Sequence, residues 1–451
     1  MERLIQSQVC PLPEQILKLK WAGDYDGAMR AIDARLKRAS LPRMLRERLT
    51  MERELLSRLA RQFPFDRQQA LAQITEHIPD FTQQEFDALE DQGAIDFLFV
   101  DGQKRYFESA YPMLLEWDRA YVLRAGNVQP VPRPIIADAI HAIEGQGELG
   151  YRIRMRVEMH IDDTAFCAGQ TYRVHLPIPK PCAQQGNIEI VADSDAYIAP
   201  EDAPQRTAFF ERTLQQNAPF VVEYEYDHIA KHMQGSNRPI YPNEPAPTPD
   251  DLAEIAPHLV FTPYLRDLAQ ELRGDLTDDV QIARACYDFV TQQVCYSYLR
   301  DYLLHDNVAE YTATCLKGDC GAQVLLLMAL LRINGIPSRW QSGTNARPDS
   351  TGSHDWMLIY LAPYGWVLCD PSRGGGLYQA GDAQDGAFYF GNMDPYRMVA
   401  NSQYMAPFDP PKTYLRNDPY DNQSGECETL ERALRPGEIR TERTLLKFEK
   451  L

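Results

Sequence analysis

Apolar residues recur every three or four positions in "EQILKLKWAGDYDGAMRAIDARLKRA": Ile16 and Leu19, then Ala28, Ile32 and Leu36. That spacing places them on one helix face. Residues 14 to about 75 are therefore expected to be helical, with breaks at Pro42 and at 63–66, "FPFD". Further on, Thr82 and Glu85 form a capping box ahead of an amphipathic helix. Asp101-Gly102 between two apolar runs is a hairpin signal. A helix followed by a hairpin is also how a winged helix ends, and such units serve as packing modules as well as DNA readers.

From Gly150 to about Tyr226 the period changes to two. "YRIRMRVEMHI", "YRVHLPIP", "IEIVADS" and "FVVEYEYD" alternate and are separated by turn residues, which predicts a small β-sandwich. The stretch "SNRPIYPNEPAPTPDD" then carries five prolines and reads as a stiff connector and domain boundary. Helical periodicity resumes with "TDDVQIARACYDFVTQQV", for which Thr277 is the expected N-cap. A second helix starts at Gly321, directly after Cys320, and ends before Asn334-Gly335 and Pro337. Short strands follow: "SRWQSG", "HDWMLIYL" and "GWVLCDPS".

Composition narrows the class. With 451 residues, 44% hydrophobic and 24% charged, the chain is an ordinary globular protein of several domains. Its formal net charge of -18 argues against a generally nucleic-acid-binding surface. Basic residues outnumber acidic ones over 30–61, which reads as a solvated helix face. No stretch has the length and apolarity of a membrane span, and no secretory leader is visible at the N-terminus. The nine cysteines are odd in number, scattered and free of CxxC pairs, so a reduced, cytoplasmic protein without a structural zinc site is expected.

The candidate chemistry centres on "LKGDCGAQVLLLMALLRINGIPSRW". A thiol at a helix start is expected to ionise more readily, because free N–H groups and the helix dipole favour the thiolate. Gly321 lets backbone and substrate approach, and the apolar run "VLLLMALL" must be buried, which anchors the helix. A thiolate needs a proton partner, and that partner needs an orienting acceptor. His354 begins one strand and Asp370 ends the next, with "LAPYGW" between them. In an antiparallel hairpin those two ends are neighbours.

Together, "GDCGAQVLLLMALLRINGIPSRW", "SHDWMLIYL" and "GWVLCDPS" resemble the transglutaminase-like superfamily of papain-related thiol enzymes, over about 257–407. The resemblance implies Cys320 as nucleophile, His354 as proton carrier and Asp370 as the residue orienting it. It also implies an oxyanion-stabilising side chain upstream, for which Tyr298 is the candidate, beside the backbone N–H of Cys320. The sequence departs from the family where Asp355 replaces a small residue after the histidine. Alternation along a strand turns Asp355 away from His354. The β-rich stretch resembles the module that precedes this core in many bacterial members.

The expected architecture is α+β. A helical domain with a β-hairpin occupies 1–140, a β-sandwich 150–235, a proline-rich linker 236–256, a papain-like transglutaminase core 257–410 and a tail 411–451. The expected function is cysteine-dependent acyl transfer on a peptide or carboxamide through a thioester. Hydrolysis is favoured, because the polar stretch 342–353 should border the cleft as a mobile loop, with Arg347 repelling a lysine. The alternatives are protein crosslinking by a transglutaminase and a non-catalytic peptide-binding scaffold. No cofactor or metal is called for, and no calcium loop is recognisable. A peptide or protein substrate is the expected partner, with neither membrane nor nucleic acid, and the sequence names no partner for the N-terminal domain.

Overall fold

The computed structural model describes residues 2–126, 134–192, 195–234, 236 and 238–451. Parts of the expected helical domain (Met1 and 127–133) and Asn237 of the proline-rich stretch lie outside them.

The N-terminal part is helical and encloses the hairpin Phe97–Val100/Gln103–Tyr106. Asp101 and Gly102 at its tip both have positive φ, 49° and 78°, as a two-residue hairpin turn requires. The Thr82–Glu85 capping box is formed as the sequence predicts. In the longest helix here, Arg43–Gln62, basic residues such as Arg43, Arg53 and Arg61 are solvated as expected, but two are not. Arg48 and Arg58 are buried, and each is neutralised by an acid: Arg48 by Glu52 at 2.8 Å and Arg58 by Asp301 at 2.7 Å.

The β-sandwich is built from two four-stranded sheets packed on a shared apolar core that includes Ile153, Val157, Tyr172, Phe210 and Tyr224. Its membership corrects the expected domain map. The outer strand of one sheet is Ile439–Lys450, paired along Glu148–Ile161; the outer strand of the other is Glu426–Thr429, paired with Gln170–Pro177. The stretch 411–451 is thus not a tail. Half of its last strand, "IRTERTLLKFEK", is charged, which suits a sheet edge, where polar side chains discourage further pairing.

The third unit holds a five-stranded antiparallel sheet in the order Phe390–Gly391, Gly365–Cys369, Ser350–Leu361, Ser338–Arg347, Arg397–Asn401. The cysteine helix, Cys320–Ile333, packs on one face of it, and every residue from Gly321 to Arg332 is buried. A helix apolar all round belongs in a core. Each fully buried leucine contributes roughly 1.5–3 kcal/mol, so the run 325–331 fixes this helix firmly. An earlier helix of this unit, Asp279–Gln293, is capped by Asp278 and not by Thr277: the Asp278 carboxylate accepts from Gln281 N–H at 3.0 Å.

Two other expectations change. The proline-rich stretch is packed against the core, where Pro245 carbonyl accepts from Trp366 Nε1 at 2.7 Å and Asp251 accepts from Arg339 Nε at 2.8 Å. Residues 342–353 are not a loop: they form the turn end of a hairpin whose register runs to Arg347↔Ser350. Ser353 borders the cleft, whereas Arg347 bonds back onto Asp349 and Ser350. No helix among the described residues is long and apolar enough to cross a membrane.

Candidate active site

Cys320 is the first residue of its helix, and Asp319 is the N-cap, accepting from Ala322 N–H at 3.0 Å. The thiol opens into a cleft of about 840 Å³. One wall is the N-terminal helix, through Glu54, Arg58 and Arg61. The opposite wall comes from 414–436, through Asp418, Tyr420, Asp421 and Gln423. Tyr298 lines the same cleft and is 40% exposed, so it shares the cavity with Cys320.

His354 and Asp370 meet across the hairpin. His354 Nε2 donates to Asp370 Oδ2 at 2.7 Å. Asp370 also caps the following helix, accepting from Arg373 N–H at 2.8 Å. Burial alone would raise the Asp370 carboxyl, but His354 and Arg397 outweigh it and hold the group well below the usual carboxylate range. Burial lowers the His354 imidazole in spite of Asp370, so the ring favours its neutral form. With Nε2 carrying the proton toward the carboxylate, Nδ1 is the nitrogen with a lone pair.

No hydrogen bond joins Cys320 to His354 among the described residues. The thiol donates instead to Asp355 Oδ2 at 3.2 Å. Strand alternation explains the split. Asp355 lies on the strand face of Met357 and Ile359, which pack with the cysteine helix, whereas His354 lies on that of Trp356 and Leu358, which pack in a separate cluster. Gly321 makes room for this carboxylate. A Cβ there would lie 2.7 Å from Tyr302 Oη, 2.9 Å from Asp355 Oδ2 and 3.1 Å from Trp340 Cη2.

The expected lowering of the Cys320 pKa is not found. Burial raises it well above the ordinary thiol range, and Asp355 and Asp319 push it further. Burial pushes Asp355 up to about 7 and Asp319 to about 6, and it raises Asp418 and Asp421 well above the carboxylate range. The helix N-terminus is outvoted by its surroundings: acids from three separate segments converge on one tip, and no arginine or lysine is salt-bridged to any of the four among the described residues.

Sequence reasoning noted Asp355 but found no role for it. It missed Arg397, which bridges Asp370 and Asp394, and the acids at 418 and 421. "DPYDNQSGE" carries no periodic signal and reaches the cleft only through tertiary packing. The one group among the described residues with metal-ligand spacing, Glu158, His160 and Glu442, is on the sandwich. Arg156 and Arg440 already pair with its two carboxylates. All nine cysteines are free.

Residues 266–371, which span Cys320, His354 and Asp370, match the family model of the transglutaminase-like superfamily. No curated protein matches the chain. Among solved structures, a candidate cysteine protease from Cytophaga hutchinsonii aligns at 13% identity and a TM-score of 0.40, over 66% of this chain and 91% of that one. The periplasmic domain of TgpA from Pseudomonas aeruginosa aligns at 15% identity and a TM-score of 0.28, over 56% and 94%. At these values neither bears on the reaction. The family match and the sheet-on-helix arrangement agree: residues 266–371 form a core of the transglutaminase-like superfamily.

Proposed function

We propose that the protein is a thiol-dependent acyl transferase acting on a peptide or carboxamide, with hydrolysis as its main outcome. One observation carries the reading: Cys320 stands at the open tip of a helix otherwise buried in the core, facing a cleft large enough for several residues of peptide. In this reading the Cys320 sulfur attacks the substrate carbonyl, the amine leaves with a proton, and water resolves the thioester. His354, oriented by Asp370, is the acid–base pair that the family resemblance implies. Tyr298 and the backbone N–H of Cys320 are the groups that would face the oxyanion. The sequence argument for hydrolysis from 342–353 falls away with the loop. What supports it now is the group of carboxyls that lines the cleft with the thiol, Asp319, Asp355, Asp418 and Asp421, which would hold water there.

The test is mass spectrometry of a mixed peptide library incubated with the protein, with and without a millimolar primary amine. Cleaved or deamidated peptides as the main products are expected. Amine-linked peptides as the main products would replace hydrolysis by crosslinking. Full turnover by Cys320→Ser would remove the reading altogether.

A further inference from the structure

Two arginines approach each other from opposite walls of the cleft, and the acids beside them are already engaged. On the reading that this cleft holds the substrate of Cys320, we propose that Arg61 and Arg435 form a carboxylate-binding subsite. The favoured substrates are then peptides that carry an acidic group, in a side chain or at the C-terminus.

The first arginine belongs to the helix Arg43–Gln62. Glu54, Arg58 and Arg61 are spaced four and three residues apart, so they share one helix face, and all three line the cleft. Arg58 is buried and held by Asp301 at 2.7 Å. Arg61 stands near the end of the helix with its side chain 42% exposed. Glu54 lies 3.9 Å from it and is nearer to Arg58, at 3.2 Å. The Arg61 guanidinium donates otherwise to Ser57 Oγ at 2.7 Å.

The second arginine comes from the opposite wall. Glu438 is the acid beside Arg435, but both its oxygens accept from Arg432, at 2.7 and 2.8 Å. It also accepts from the Arg435 backbone N–H at 2.7 Å. Among the described residues no acid is salt-bridged to the Arg435 guanidinium, and the residue is exposed at the cleft.

The two guanidiniums feel each other. Burial disfavours the charge on Arg61, and Arg435 disfavours it further. In a chain of net charge -18, two like positive charges turned toward one open cleft are a local reversal. An anion between them removes the repulsion, and the two oxygens of a carboxylate match the fork of a guanidinium. The thiol end of the same cleft is lined instead by Asp319, Asp355, Asp418 and Asp421. The cleft is thus polarised, and it orients a peptide with its acidic group away from Cys320.

The test uses the full chain and a peptide library made in matched pairs: Glu or Gln within the peptide, and a free or an amidated C-terminus. Wild-type turnover is expected to favour the carboxylate member about tenfold, the size of charge-assisted contacts at a half-exposed site. Added salt should shrink that preference. Arg61→Met combined with Arg435→Met is expected to abolish it. Arg61→Lys combined with Arg435→Lys should keep part of it, since the charges stay and the forks go. Loss of the preference on amidation assigns the carboxylate to the C-terminus; loss on the exchange of Glu for Gln assigns it to a side chain. Equal turnover of paired peptides, a preference for the neutral members, or a preference that survives the double Met variant overturns the subsite. The paired peptides and the salt series need no variant, so a variant that misfolds leaves the test intact. Retention of the same pairs by Cys320→Ala, read by mass spectrometry, needs no chemistry and decides if the library gives no product. Enrichment of the carboxylate members is expected there; no retention, or retention indifferent to the carboxylate, overturns the subsite. Full turnover by Cys320→Ser would refute the nucleophile and leave the retention result standing.

Discussion

Arg397 Nη2 lies 2.7 Å from Asp370 Oδ2, and neither side chain reaches solvent. The same guanidinium holds Asp394 at 2.8 Å. Two buried acids thus share one cation, and the neutral His354 ring adds a hydrogen bond to Asp370. Removing one partner of such a group leaves a charge in a low-dielectric interior, at a cost of about 3–5 kcal/mol. Arg397→Met is expected to lower the unfolding free energy by that amount in urea titrations. An unchanged midpoint would show that the ion pair does not form.

Gly321→Ala tests the crowding at the helix tip. Alanine improves helix propensity by about 1 kcal/mol, but its methyl group would press on Tyr302, Asp355 and Trp340. Overpacking of this kind costs about 1–3 kcal/mol, and it shifts the helix tip that carries the thiol. A modest fall in stability with a large fall in library turnover is expected. A variant that is both more stable and fully active would contradict the described contact.

Arg58 joins the N-terminal helix to the rest of the cleft. It pairs with Asp301 and donates to the carbonyls of Arg416 and Asn417. Burial opposes its charge, but Asp301 outweighs that and raises its pKa. Arg58→Ala should cost about 3–5 kcal/mol, and limited proteolysis should then cut within 1–126 sooner than in wild type. An unchanged digestion pattern would mean that the helical part is held elsewhere.

The buried acids make a signed prediction about pH. Asp421, raised in the folded state, binds a proton more tightly folded than unfolded, so its contribution to stability falls as pH rises above about 4. Asp421→Asn removes that loss. The variant's Tm minus the wild-type Tm should be positive at pH 8 and shrink toward pH 5. The buried histidines His175, His228, His258 and His305, lowered by desolvation, act the other way. They withdraw stability as pH falls below about 6.5, so only the difference between variant and wild type is diagnostic. A difference that grows toward acid pH would refute the assignment.

Local chemistry explains what was legible in the sequence. The run from Val324 to Leu331 could only be a buried helix, and the short turn before Trp366 brought His354 beside Asp370. The capping box at Thr82 and the Asp101-Gly102 turn are likewise set by neighbours in sequence. What escaped notice depends on distant segments. Arg397 has no local mark of its role, and Asp418 and Asp421 sit in an aperiodic polar stretch. The thiol's environment follows from acids that arrive from 319, 355 and 418–421, so a rule about helix ends alone gave the wrong direction. Strand Ile439–Lys450 lacks clean alternation because it forms a sheet edge, so its sequence alone resembles a tail.

The sandwich takes strands from both sides of the core in sequence, 148–231 before it and 426–450 after it. The catalytic unit is therefore an insertion whose two ends are both stitched into one body. Cutting the proline-rich stretch would break the chain without parting its pieces: the fragments would stay paired along Ile439–Lys450 and Glu148–Ile161 and travel as one particle until denatured.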